Sequence, residues 1–318
     1  MEEKDRKILI FSKNIRKILE KAGEKLNEMQ EIRMRAGAPL FAIYKNKEYA
    51  VTSSGQLEQN AEHGYVVTAE DVRETLNCAA QHSLYAFEEE VRQGFLTVSG
   101  GHRIGIAGQV VLNQSRVKII QPASCLNIRF SHQIKGCANQ VLPYLFNEES
   151  GEVFHTLFIS PPRCGKTTLL RDVIRQISDG NDMLHGKNVG VVDERSEIGA
   201  CYQGIPQNDV GIRTDILDGC PKAEGMMMLI RSMAPEVVAV DEIGGKSDLE
   251  AMRYVMNCGC KILATVHGTS MEDIKKKPGF LTLFEERIFD RYIVLSSKKG
   301  AGTIEDICDE RGGSLLCG

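Results

Sequence analysis

A chain of 318 residues with 42% hydrophobic and 26% charged residues has the length for two domains and a folded composition, which excludes whole-chain disorder. Lys and Arg number 39 against 43 Asp and Glu, a formal net charge of −4 that excludes a general polyanion binder. Ten scattered cysteines in a chain this large read as reduced thiols, Cys258 and Cys260 included, because no second ligand pair stands at zinc spacing.

The start Met1-Glu2-Glu3-Lys4-Asp5-Arg6-Lys7 is charged with no apolar run behind it, which predicts no targeting segment. No stretch approaches the roughly 18 apolar residues of a membrane span. The expectation is a cytoplasmic chain, any membrane association being peripheral. From Ile8 to Met29, Phe11, Ile15, Ile18, Leu19, Ala22 and Leu26 recur at helical spacing and predict an amphipathic helix docked on its own domain. Glu31 to Tyr49 predicts two strands about the turn Ala36-Gly37-Ala38-Pro39. Thr68, followed by Glu70 and Asp71, predicts a capped helix start running through Ala80. Phe95 to Val98 and Ile104 to Val111 predict a hairpin about Ser99-Gly100-Gly101-His102-Arg103.

The polar break Asn147-Glu148-Glu149-Ser150-Gly151 marks a change of pattern. Five apolar runs follow, His155–Ile159, Asn188–Val192, Val237–Val240, Ile262–Val266 and Tyr292–Leu295, with helical lengths between them. Runs without polar alternation suit strands buried on both faces, so the expected class is α/β with a mainly parallel sheet. Residues 1–150 are then a smaller α+β domain and 151–318 the α/β domain. Neither half is basic, at 19 basic and 18 acidic residues before the break and 20 and 25 after it.

Ser160-Pro161-Pro162-Arg163-Cys164-Gly165-Lys166-Thr167-Thr168 has the makings of a phosphate loop. Backbone amides at a helix N-terminus cradle a phosphate chain, a lysine reaches the β- and γ-phosphates, and a hydroxyl ligates Mg²⁺. Gly165, Lys166 and Thr167 fill these roles, while Ser160 stands where the pattern has its first glycine. Glu236-Val237-Val238-Ala239-Val240-Asp241-Glu242 is an apolar strand ending in two carboxylates. In that arrangement Asp241 holds the Mg²⁺ water shell and Glu242 orients an attacking water, which makes ATP and Mg²⁺ the expected ligands. Val191-Val192-Asp193-Glu194-Arg195-Ser196-Glu197 is another strand end, and places Asp193, Glu194 and Glu197 toward the γ-phosphate and metal. Ala264-Thr265-Val266-His267-Gly268-Thr269 closes a third strand with His267, a candidate contact to the γ-phosphate. Lys275-Lys276-Lys277 reads as a solvated loop.

In this order of motifs, with Arg231-Ser232-Met233-Ala234-Pro235-Glu236 ahead of Asp241-Glu242, the chain resembles the type II/IV secretion and pilus-motor ATPase superfamily. More narrowly it resembles the ATPases of the channel between mother cell and forespore in endospore-forming bacteria. The first half shares the resemblance through Glu31-Ile32-Arg33-Met34-Arg35-Ala36-Gly37-Ala38-Pro39 and Gly101-His102-Arg103-Ile104-Gly105. It implies a RecA-type P-loop NTPase domain, a homo-hexameric ring, and docking on the cytosolic, mother-cell face of membrane-embedded channel proteins. It also implies arginines delivered to a neighbouring subunit's nucleotide, with Arg33, Arg35 and Arg103 as candidates; Arg213 and Arg231 are further ones in the second half. Asp241 departs from the glycine usual in pilus motors, and Ser160 and Arg163 leave the loop a single glycine. The alternative is a RecA-type nucleic-acid-dependent ATPase binding single strands, which the balanced charge argues against. A nucleotide-gated scaffold with negligible turnover is the other rival.

Overall fold

Period-two alternation in Met29–Arg35 buries Ile32 and Met34 completely and leaves Arg33 and Arg35 on the opposite face. In the computed structural model this segment is β1. Residues 7–81, 91–92, 94–113, 116–131, 133–182 and 184–316 are described; the charged start Met1–Arg6 and Cys317 lie outside them. The chain forms two compact units, 1–132 with 200–207, and 133–199 with 208–318. The division thus falls earlier than residue 150, because Ala138, Val141, Leu142, Leu145 and Phe146 are buried in the second unit's core. Segment 200–207 joins the first unit, where the Gly100 amide donates to Gln207 Oε1 at 2.8 Å.

The first unit carries β1 with β2 (Phe41–Tyr44), β3 (Lys47–Val51), β4 (Leu57–Glu58), β5 (Phe95–Val98), β6 (His102–Asn113) and β7 (Arg116–Arg129). They form one antiparallel sheet in the order β4-β3-β2-β1-β7-β6-β5. Helix Lys13–Lys21 adds Ile15, Ile18 and Leu19 to its core, and helix Ala69–Ala79 adds Val72 and Leu76. The second helix starts in a capping box, with the Asp71 amide on Thr68 Oγ1 at 3.0 Å and the Thr68 amide on Asp71 Oδ2 at 2.9 Å. The helix expected from Ile8 to Met29 is interrupted at Gly23, whose φ of +65° ends it before a short turn of helix, Lys25–Glu28. Glu31 to Tyr49 holds parts of three strands where two were expected, since Lys45 and Asn46, at φ 49° and 60°, make a two-residue turn without glycine.

In the second unit β8 (Thr156–Ser160), β9 (Val189–Asp193), β10 (Thr214–Asp218), β11 (Val237–Val240), β12 (Lys261–His267), β13 (Arg291–Ser296) and β14 (Thr303–Cys308) form a second sheet. Its order is β10-β9-β11-β12-β8-β13-β14, parallel throughout except for β14. Alternate strand residues feed two cores. Phe158, Val191, Ala239 and Leu263 meet Leu170, Val173 and Ile174 of helix Lys166–Asp179 on one face. Leu157, Val192, Val238 and Ala264 meet Leu229 of helix Lys222–Ser232 and Met252 of helix Lys246–Asn257 on the other. Burial on both faces is why these strands are unbroken apolar runs. The edge strands β10 and β14, flanked or interrupted by Asp and Glu, lack that pattern and were not expected.

Candidate functional site

The register of the second sheet aligns four strand ends. Ser160 stands opposite His267, and Val240 lies between Val192 and Ala264, so the residues following β8, β9, β11 and β12 emerge along one edge. After β8 the chain turns through Pro161–Gly165 into the 14-residue helix Lys166–Asp179. Neither a capping side chain nor a first-turn acid engages that helix's N-terminus, which leaves its amides and dipole for an anion. Gly165 has φ +84°, and a Cβ there would lie 2.9 Å from the Gly302 nitrogen, so the position requires glycine. Ser160 is the buried last residue of β8 and is not left-handed; Arg163, at φ 62°, is, and the loop therefore makes no demand for glycine at the serine.

Lys166, Thr167, Asp241, Glu242 and His267 converge here. Lys166 is buried, with Nζ 3.1 Å from Asp241 Oδ1, and Thr167 Oγ1 donates to Asp241 Oδ2 at 2.7 Å. Burial works to raise the Asp241 pKa, but the Lys166 charge and hydrogen bonds from Thr265 and Thr167 outweigh it and hold the group below the usual carboxylate range. Thr265 joins the two acids: its hydroxyl donates to Asp241 Oδ1 and accepts the Glu242 amide at 2.8 Å. Glu242 sits in the left-handed region at φ 61°, its Oε1 3.2 Å from His267 Nε2 and its Oε2 3.1 Å from Arg195 Nη1. His267 also approaches the Ser160 carbonyl through Nδ1 at 3.4 Å, and Lys277 Nζ donates to the His267 carbonyl. Lys277 is therefore tied to the strand end instead of solvated, and Lys275 closes the short helix Met271–Lys275 instead of lying in a loop.

A cavity of about 620 Å³ is lined by Pro161, Pro162, Arg163 and Gly165 through Thr168, with Arg195, Glu197, Asp241, Glu242, His267 and Ala301. Cys164 is buried beneath it and its carbonyl accepts the Gly302 amide at 2.8 Å. Asp193 and Glu194 line a smaller recess with Lys222, Asp241 and Glu242. Asp193 itself is committed to its own turn: Oδ1 accepts the Glu197 amide at 2.9 Å, and Oδ2 those of Ile198 and Gly199 at 2.9 and 2.8 Å. Burial raises its pKa to about 6, against the pull of those amides. Glu194 is paired with Lys222, and Glu197 is exposed at the cavity wall.

The arrangement gives an anion-accepting helix end, a buried cation, a hydroxyl–carboxylate pair and a further carboxylate, that of Glu242, in the cavity lining between His267 and Arg195. Hydroxyl and carboxylate oxygens side by side, Thr167 and Asp241, suit a hard divalent cation such as Mg²⁺. Thr265 and Arg195 were missed in the sequence: both lie inside motifs already singled out, at strand ends of the same edge, which is the signal that finds them. Arg33, Arg35 and Arg103 belong to the first unit. Arg33 pairs with Glu31, the Arg103 guanidinium lies 3.8 Å over the Phe95 ring, and Arg33 and Arg35 border a cavity of about 400 Å³ with Asn127. Arg213 is occupied at the end of helix Lys166–Asp179, donating to the Ser178 carbonyl at 2.9 Å.

Residues 1–315 match the family described as Sporulation stage III, protein AA. Over 288 residues the chain is 42% identical to stage III sporulation protein AA of Bacillus subtilis (strain 168), spanning 91% of this chain and 89% of that protein. Among solved structures, the pilus retraction motor PilT with bound ADP is similar at a TM-score of 0.56 and 14% identity, covering 88% of this chain and 77% of PilT. The Legionella pneumophila ATPase DotB is similar at 0.53 and 16%, covering 87% and 74%. At these identities the two structures speak for the fold.

Proposed function

The chain belongs to the Sporulation stage III, protein AA family, and from that premise we propose that it is an ATPase whose second unit is a RecA-type P-loop domain. The observation that carries the reading is the convergence of Lys166, Thr167, Asp241 and Glu242 on one cavity large enough for a nucleotide's phosphates. The fold likeness to PilT and DotB supports the same reading.

The helix N-terminus and Lys166 bind the phosphate chain. Thr167 and Asp241 are the residues that would hold Mg²⁺, which would supply positive charge against the phosphates when bound. Glu242 accepts a proton from water as the water oxygen bonds to the γ-phosphorus and the bond to the β-phosphate oxygen breaks, releasing ADP and phosphate. Thr265 and His267 position Glu242, and Asp193 holds the turn that presents Glu197. The transition state also needs cationic charge on the γ-phosphate oxygens, and Arg33, Arg35 or Arg103 of a neighbouring subunit supplies it in a ring, taken as a homo-hexamer. The ring docks on the cytoplasmic, mother-cell face of membrane-embedded channel proteins and powers their assembly or transport. No helix among the described residues is long and apolar enough to cross a membrane.

Phosphate release from ATP by wild type and Lys166→Ala, with and without single-stranded DNA, tests this. We expect turnover in the wild type, its loss in the variant, and indifference to DNA. Unchanged turnover in Lys166→Ala would overturn the site, and strong stimulation by DNA would favour a nucleic-acid motor.

A further inference from the structure

Arg195 has a role that the loop and the paired acids do not account for. Its side chain is 63% exposed, and an ion pair that exposed contributes little to stability, so its reach to Glu242 is not explained as a brace. Yet the turn that displays it is firmly built. Asp193 accepts three amides from residues 197–199, Ser196 is left-handed at φ 53°, and Ser196 Oγ donates to Asp218 Oδ1 at 2.6 Å. Glu194, the nearest competing acid on the turn, is taken by Lys222. The guanidinium therefore stands on a fixed mount at the wall of the nucleotide cavity that Lys166 and His267 also line, and among the described residues Glu242 is its one ion-pair partner.

We infer that Arg195 contacts the γ-phosphate of nucleotide bound to its own subunit, and that its pairing with Glu242 is the arrangement it leaves to do so. This rests on the ATPase reading above. A guanidinium is always charged and its planar fork of donors matches phosphate oxygens as well as carboxylate oxygens. With Arg195 on Oε2 and His267 on Oε1, both oxygens of Glu242 are engaged. A γ-phosphate in the cavity offers Arg195 a more highly charged partner, and transfer of the guanidinium frees Oε2 to accept a hydrogen bond from water. ADP lacks the γ-phosphate and leaves the pair intact. The exchange ties release of the acid that handles water to the presence of the phosphate to be cleaved.

The test is calorimetric titration of the full-length chain with the β,γ-imido analogue of ATP and, separately, with ADP, both with Mg²⁺. Arg195→Ala is expected to weaken the analogue by about 10- to 100-fold, the worth of a charge-assisted hydrogen bond. ADP affinity stays within about threefold, which also reports an intact fold, and Arg195→Lys recovers part of the loss. Equal weakening of both ligands, or of neither, overturns the inference while the ATPase reading stands. Lys166→Ala separates the two: it should lose both ligands. A wild-type chain that binds neither would overturn the ATPase reading and this inference together.

Discussion

Thr265 does with one hydroxyl what the two acidic side chains of the site cannot do for themselves. It donates to Asp241 and receives the Glu242 amide, so replacing it by valine leaves a carboxylate oxygen and a backbone N–H short of a partner. Thr265→Val should cost about 1–3 kcal/mol in urea unfolding and lower kcat, while Thr265→Ser keeps most of both. Glu242 shows the opposite balance. Its left-handed backbone is strained for any residue with a Cβ, so Glu242→Gly should gain about 1 kcal/mol of stability and lose hydrolysis. A variant both less stable and active would refute the placement of Glu242. Asp193 adds a pH dependence. Its folded pKa of about 6 lies above the ordinary 3.8, so its contribution to stability is full below about pH 4 and is lost as pH rises through 6. Relative to Asp193→Asn, the wild-type urea midpoint should fall as pH rises from about 4 through 6, and a difference between the two that is independent of pH would contradict this.

At the scale of elements, the loop Pro161–Gly165 depends on the turn between β13 and β14. The Gly302 amide bonds the Cys164 carbonyl, and Gly165 has no room for a side chain against it. Gly165→Ala should therefore destabilise the unit by at least about 1–2 kcal/mol and weaken nucleotide binding, as a titration with ADP would read. The loop, the helix behind it and the Asp241-Glu242 strand end were legible in the sequence because each is a short-range pattern: an apolar strand, a turn residue, a helix start. The capping box at Thr68 was legible for the same reason. Thr265 and Arg195 were not, since their partnerships with Asp241 and Glu242 arise from the order β9-β11-β12-β8, which no single segment encodes. The boundary near residue 150 misled because the polar break at Asn147–Gly151 is a turn within the second unit, with Phe146 and Val153 bridged across it.

For the whole molecule, the charge balance and the first unit's arginines lead to one expectation. Alternation along β1 sets Arg33 and Arg35 on the face opposite the core, where Arg103 also stacks on Phe95, and a neighbouring subunit is what we propose they serve. An arginine-to-alanine variant and Lys166→Ala, each inactive alone, should then regain activity when mixed after subunit exchange. An arginine in that role is worth about 10³–10⁵ in rate. No recovery, with exchange confirmed, would return these residues to ordinary surface charges. The most direct measurement is steady-state phosphate release from ATP against protein concentration, for wild type and Glu242→Gln. The ring ATPase proposed here gives a specific rate that rises with concentration in the wild type and falls at least about 100-fold in Glu242→Gln, which still binds ATP. Phosphate release no greater than that of Glu242→Gln at any concentration would contradict it.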